Sequence, residues 1–141
     1  MGRIINTASP GSERNRLRRT IAEILRHLMF KRGVDDEVKD MTATLVFALR
    51  GIAESVEVTT DAWEKRDYYV KADRFRLDWE WVTPAARRLA ALVREDRWQD
   101  LPSELAALAP RFGDIRIAKM TRAPSIWASG YETLMQEKAG A

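Results

Sequence analysis

Apolar residues recur at helical spacing from residue 13 almost to the end of the chain. Between 13 and 32, Leu17, Ile21, Ile24, Leu25 and Leu28 fall on one face, while Asn15, Arg19 and Arg26 point away. That spacing predicts an amphipathic helix lying on a core. Ser9-Pro10-Gly11-Ser12 ahead of it is a turn signal, with Ser12 the predicted N-cap and residues 1–12 an arm. A second helix over 36–58 opens on Asp35, Asp36 and Glu37, carboxylates suited to the positive end of a helix. Its main stripe is Val38, Met41, Leu45, Leu49, Ile52 and Val56. Ala43, Phe47 and Gly51 form a second stripe on its back. A helix apolar on two sides belongs at the centre of a bundle.

A third helix, over 61–81, has two aromatic sides. Trp63, Val70, Leu77 and Trp81 share one; Tyr68, Ala72, Phe75 and Trp79 share another, about 150° round the axis. Thr83-Pro84 separates it from a fourth helix over 84–98, which turns Ala85, Leu89, Leu92 and Val93 inward. Asp100 caps a shorter helix carrying Leu101, Leu105 and Leu108, stopped by Pro110 and Gly113. The stretch from Ile115 to Met120 fits an extended segment or a turn of helix. A last helix from about Pro124 uses Trp127, Tyr131 and Leu134, with Gly130 as a weak point inside it. The predicted fold is therefore all-α. Four main helices over 13–98 form an up-and-down bundle, and a short helical C-terminal subunit over 99–141 packs on it as part of one domain.

Composition removes several chemistries. The 141 residues include no cysteine, hence no disulfide, thiol nucleophile or cysteine-bound zinc. No run approaches the roughly 18 apolar residues of a membrane span, and no apolar signal core follows Ile4 and Ile5. The expectation is a cytoplasmic protein with no membrane partner. His27 is the single histidine. It cannot supply the paired Glu-x-x-His motifs of a two-metal bundle or the two histidines of a non-haem iron site. No phosphate loop, G-x-S-x-G elbow or H-E-x-x-H run is present, and no cofactor is expected.

Charge adds one asymmetry. The net charge is only +3, yet residues 1–32 hold eight basic side chains against Glu13 and Glu23. Arginine outnumbers lysine 18 to 6, a ratio that a GC-rich genome produces on its own. Arginine forks suit phosphate, and Asn15 adds neutral hydrogen bonds. The predicted function is a non-enzymatic binding module. Its basic arm and first helix, through Arg3, Arg14, Asn15, Arg16, Arg18, Arg19 and Arg26, dock on nucleic acid or on another polyanion such as an acidic protein. A helix-turn-helix is rejected, because Asp35, Asp36 and Glu37 would lead its recognition helix against phosphate.

Two alternatives stand beside this one. An adaptor would self-associate or join a complex through Tyr68, Phe75 and Trp79, with base stacking on Tyr68, Tyr69 or Trp79 a weaker variant. A carboxylate-metal hydrolase would draw on Asp35, Asp36, Glu37 and Asp40, on Glu54 and Glu57, or on Asp67 and Asp78. Helix capping accounts for the first cluster without a metal.

Overall fold

The computed structural model describes residues 9–137. Six α-helices occupy most of them: α1 (Pro10–Met29), α2 (Asp36–Glu64), α3 (Tyr69–Trp79), α4 (Val82–Arg94), α5 (Leu101–Leu108) and α6 (Gly130–Gln136). Single 3-10 turns stand at Trp98–Asp100, Ala109–Phe112 and Pro124–Ile126. The protein is all-α. Its arrangement is a hub, with α1, α3, α4 and α6 each packed on α2.

The two stripes of α2 explain that role. Met41, Leu45, Leu49 and Ile52 are wholly buried against Ile21 and Ile24 of α1 and Leu89 and Leu92 of α4. On its back, Ala43 and Gly51 let neighbours approach closely. A Cβ on Gly51 would lie 2.8 Å from Leu17 Cδ1 of α1. A Cβ on Gly130 would lie 2.7 Å from the Asp40 carbonyl and 2.9 Å from Thr44 Oγ1. Gly130 is thus the first residue of α6, chosen for contact with α2, rather than a weak point inside a helix.

Helix boundaries depart from the periodic reading where caps decide them. Ser9, not Ser12, caps α1: its hydroxyl accepts the Ser12 N–H at 3.1 Å, with Pro10 at the start of the helix. Helix α2 runs through Thr59 and Thr60 to Glu64, because the Thr60 hydroxyl bonds back to the Val56 carbonyl (3.0 Å) inside the helix. It stops only where Asp67 adopts φ 64°. There the Tyr68 N–H reaches the Trp63 carbonyl (2.9 Å) and the Asp67 N–H the Glu64 carbonyl (3.0 Å). This is a Schellman closure with Asp in place of Gly. The same device ends α4 at Arg94 rather than 98, with Asp96 at φ 57° and the Arg97 N–H on the Leu92 carbonyl. Helix α3 ends at Trp79, and Pro84 sits in the first turn of α4, where its missing N–H costs nothing.

Candidate nucleic-acid interface

Residues 113–123 have no regular secondary structure and lie as a strap along α1. Arginines of α1 hold it by its carbonyl groups. Arg19 donates to the Lys119 carbonyl (3.1 Å) and Arg26 to the Ile117 carbonyl (2.8 Å), while Arg18 donates to the Arg111 carbonyl (3.0 Å) in the turn at the root of the strap. Arg122 returns the grip, donating to the Arg16 carbonyl (3.0 Å) and to Thr20 Oγ1 (3.0 Å).

Glu23 is the anchor beneath. Its side chain is fully buried, and it accepts from Arg19 Nε (2.7 Å), the backbone N–H groups of Thr121 (2.6 Å) and Arg122 (2.8 Å), and the Thr121 hydroxyl. Burial by itself would push this carboxyl up. The hydrogen bonds from Arg19, Thr121 and Arg122 outweigh burial and hold it at about 2. A buried carboxylate so fully partnered fixes the strap in register, because leaving any of those donors unmet would carry a desolvation penalty.

The basic residues singled out by sequence separate into roles. Arg3 lies outside the described residues. Arg16 pairs with Glu13 at the surface, and Asn15 is exposed. Arg18 forms a forked pair with Asp114 (2.7 and 3.0 Å), which draws the Asp114 carboxyl below its ordinary value. Arg19 and Arg26 serve the strap as described. Arg14 turns the other way, toward α2 and α3. It donates to Ser55 Oγ (3.2 Å) and Thr59 Oγ1 (3.3 Å), and its guanidinium stands 4.8 Å from the Phe75 ring centre. Burial pulls its pKa below the ordinary arginine value.

Sequence reasoning overlooked the cations that the strap itself delivers. Arg116 and Lys119 are exposed, and Arg111 at the root of the strap stacks over Trp81 at 4.8 Å; beside them Arg26 of α1, already singled out by sequence, bonds only a neutral carbonyl. Among the described residues, none of these four has a carboxylate within ion-pair distance. Their signal, a run of Arg111, Arg116, Lys119 and Arg122, is visible in the chain; its place beside α1 is not. Together α1 and the strap gather Arg16, Arg18, Arg19, Arg26, Arg111, Arg116, Lys119 and Arg122 against Glu13, Glu23 and Asp114.

The predicted interface residues also separate. Tyr68 is half exposed, whereas Phe75 and Trp79 are half-buried in an aromatic row. The apolar residues of α3 that face solvent are Tyr69, Val70 and Leu77, and the last two are 67% and 63% exposed. The outward face of α3 is therefore the one centred on Val70 and Leu77.

The acidic cluster has structural work. Asp35 caps α2 at the Val38 N–H (2.8 Å) and pairs with Lys31 (2.7 Å), which lowers its pKa. Glu37 binds Lys31 (2.9 Å) and accepts the Trp127 indole N–H (3.3 Å). Its carboxyl is lowered chiefly by the lysine. Asp40 accepts the Tyr131 N–H (3.0 Å) and so seats α6. His27 packs its ring 5.7 Å from that of Trp127 and stands 3.4 Å from Glu37. Among the described residues, no three His, Cys, Asp or Glu side chains converge on a position for a metal ion, and no helix is long and apolar enough to cross a membrane. Comparison with protein families, curated proteins and solved structures finds no match to this chain.

Proposed function

We propose that the chain is a non-enzymatic binding module that docks on nucleic acid along the face where α1 and the strap meet. One observation carries this reading. Arg26, Arg116 and Lys119 lie on that face without an acidic partner among the described residues, in a molecule whose net charge is only +3. Arginines that bond a neutral carbonyl remain full positive charges, so holding the strap does not discharge the surface. Cations fixed on a rigid helix and a pinned strap contact phosphates with little ordering cost, and counterion release drives the association.

The test uses Arg116→Gln with Lys119→Gln, a pair that leaves every clasp contact from α1 in place. Binding of a DNA duplex and of a single strand is followed across a salt series. The intact chain should bind both, with log K falling linearly in log salt. The double variant should weaken both and flatten the duplex slope by about 2, since each phosphate contact contributes roughly 0.9. Equal binding by the two proteins, or none by the intact chain at low salt, overturns the proposal.

A further inference from the structure

Five aromatic rings form a continuous row from the α2–α3 elbow to the root of the strap. Trp63 and Phe75 have ring centres 5.0 Å apart, Phe75 and Trp79 6.1 Å, Trp79 and Trp81 6.3 Å, and Trp81 and Phe112 5.9 Å. Each ring carries a cation on its face. Lys71 stands over Trp63 (4.4 Å), Arg14 over Phe75 and Trp79 (4.8 and 5.7 Å), Arg111 over Trp81 (4.8 Å) and Arg18 over Phe112 (5.4 Å).

A row built only for the core would be covered by aliphatic side chains. Here Phe112 is buried and Phe75 and Trp79 lie under Arg14, itself held by Ser55 and Thr59, but Trp63 and Trp81 at the two sides of the row are half-buried beneath the exposed side chains of Lys71 and Arg111. Two depressions open at the ends. One is lined by Trp63, Val70, Lys71 and Arg74; the other, of about 200 Å³, by Trp81, Ala85, Arg88 and Arg111. Glu104 and Arg88 at the second depression are paired at 3.1 Å and offset each other, which leaves Arg111 as the cation free to meet an anion there. Asp78 borders the first, next to Lys71 and Arg74.

We infer that this row is a stacking track for single-stranded nucleic acid, with unpaired bases lying on Trp63 and Trp81 and their capping cations, Lys71 and Arg111, moving aside to the phosphates. Aromatic faces take any base, because every base has a π-face, and interleaved lysine and arginine supply the backbone charge. A duplex has no free base faces to offer, so the track discriminates between strands in a way that the α1–strap face does not. The inference rests on the nucleic-acid reading above but is tested at different residues, Trp63 and Trp81 rather than Arg116 and Lys119, so the two fail separately.

The probes are a single-stranded oligothymidylate of about twelve nucleotides and a duplex of equal length. Trp63→Leu and Trp81→Leu remove a ring while keeping apolar bulk, Trp63→Phe and Trp81→Phe restore a stacking face, and circular dichroism verifies that each variant is folded. The single strand should quench tryptophan fluorescence of the intact chain. Each leucine variant should bind it roughly ten-fold more weakly, each phenylalanine variant should recover most of the loss, and duplex affinity should not change. Folded leucine variants that bind the single strand as tightly as the intact chain overturn the track while leaving the α1–strap face untouched. So does a phenylalanine variant no better than leucine, which would reduce the rings to packing. Loss of duplex and single-strand binding together in Arg116→Gln/Lys119→Gln, with quenching per bound strand unchanged, supports both.

Discussion

The strap and α3 invert the usual relation between regular structure and firm attachment. Helix α3 has a complete backbone ladder, yet of its eleven residues Ala72 alone is buried. Val70 and Leu77 face water, and α3 is tied to α2 by Phe75 against Trp63 and by the Arg76–Glu64 pair at 3.0 Å. The strap has no ladder at all, yet three of its carbonyls and two of its N–H groups end on charged groups of α1, one of them a fully buried carboxylate. Regular structure satisfies a segment's own backbone; it does not fasten the segment to anything. Fastening comes from buried area and from desolvated, fully met charges.

The largest effect expected from this contrast follows Glu23→Ala. Removing one member of a buried charged network typically costs about 3–5 kcal/mol, because its partners are left unmet. Denaturant unfolding should show a loss of that size, and hydrogen exchange at the Thr121 and Arg122 amides should rise from protected to nearly free. In the intact chain those two amides should exchange more slowly than the amides of α3. The reverse order would break the comparison.

A second effect is carried by pH. The Glu23 carboxyl is held at about 2 against an ordinary 4.5, so the folded state prefers its ionised form. Its contribution is complete above about pH 4.5 and is lost as pH falls toward 2. The full span is about 3 kcal/mol by linkage. Glu13, Asp35, Glu37, Glu64 and Asp114 are lowered in the same direction by Arg16, Lys31, Lys31, Arg76 and Arg18 respectively, but they lie at the surface, where solvent screens the effect. Unfolding measured between pH 6 and 2 should therefore be markedly flatter in Glu23→Gln than in the intact chain. Parallel curves would remove Glu23 from the account.

The smallest effect belongs to α3. Leu77→Ala truncates a side chain that is 63% exposed, and stability should change by no more than about 0.5 kcal/mol. A loss above about 2 kcal/mol in thermal unfolding would mean that α3 is as firmly held as the strap.

Period and polarity located most of the helical content and picked out α2 as central, because a stripe of wholly buried residues and a stripe of small ones leave their spacing in the chain. The elbow at 65–68 and the early end of α4 were hidden because Asp67 and Asp96 take the left-handed conformation that glycine usually signals. The periodic reading leaves residues 59 and 60 between two helices, yet the Thr60 hydroxyl folds back onto its own helix. In the candidate interface, the clustering of arginine on α1 was legible and its engagement was not. Arg18, Arg19 and Arg26 meet carbonyls 91 to 100 positions away. No local pattern encodes a contact at that range, and the exposed cations of the strap acquire their setting only through it. The aromatic row was likewise split in sequence between two sides of one supposed helix, whereas the elbow and the turn at Glu80–Trp81 realign the rings.

Synthesis runs in one direction, and Glu23 leaves the ribosome long before Thr121 and Arg122, its partners 98 and 99 positions later. During that interval the carboxylate stays hydrated, and α1 and α2 can already join through their apolar stripes. Contacts so distant along the chain close late and contribute little to early steps of folding. The strap thus acts as a seal applied late, and a chain interrupted ahead of residue 121 would lack α6 as well as the anchor of the strap, leaving one flank of α1 open to water.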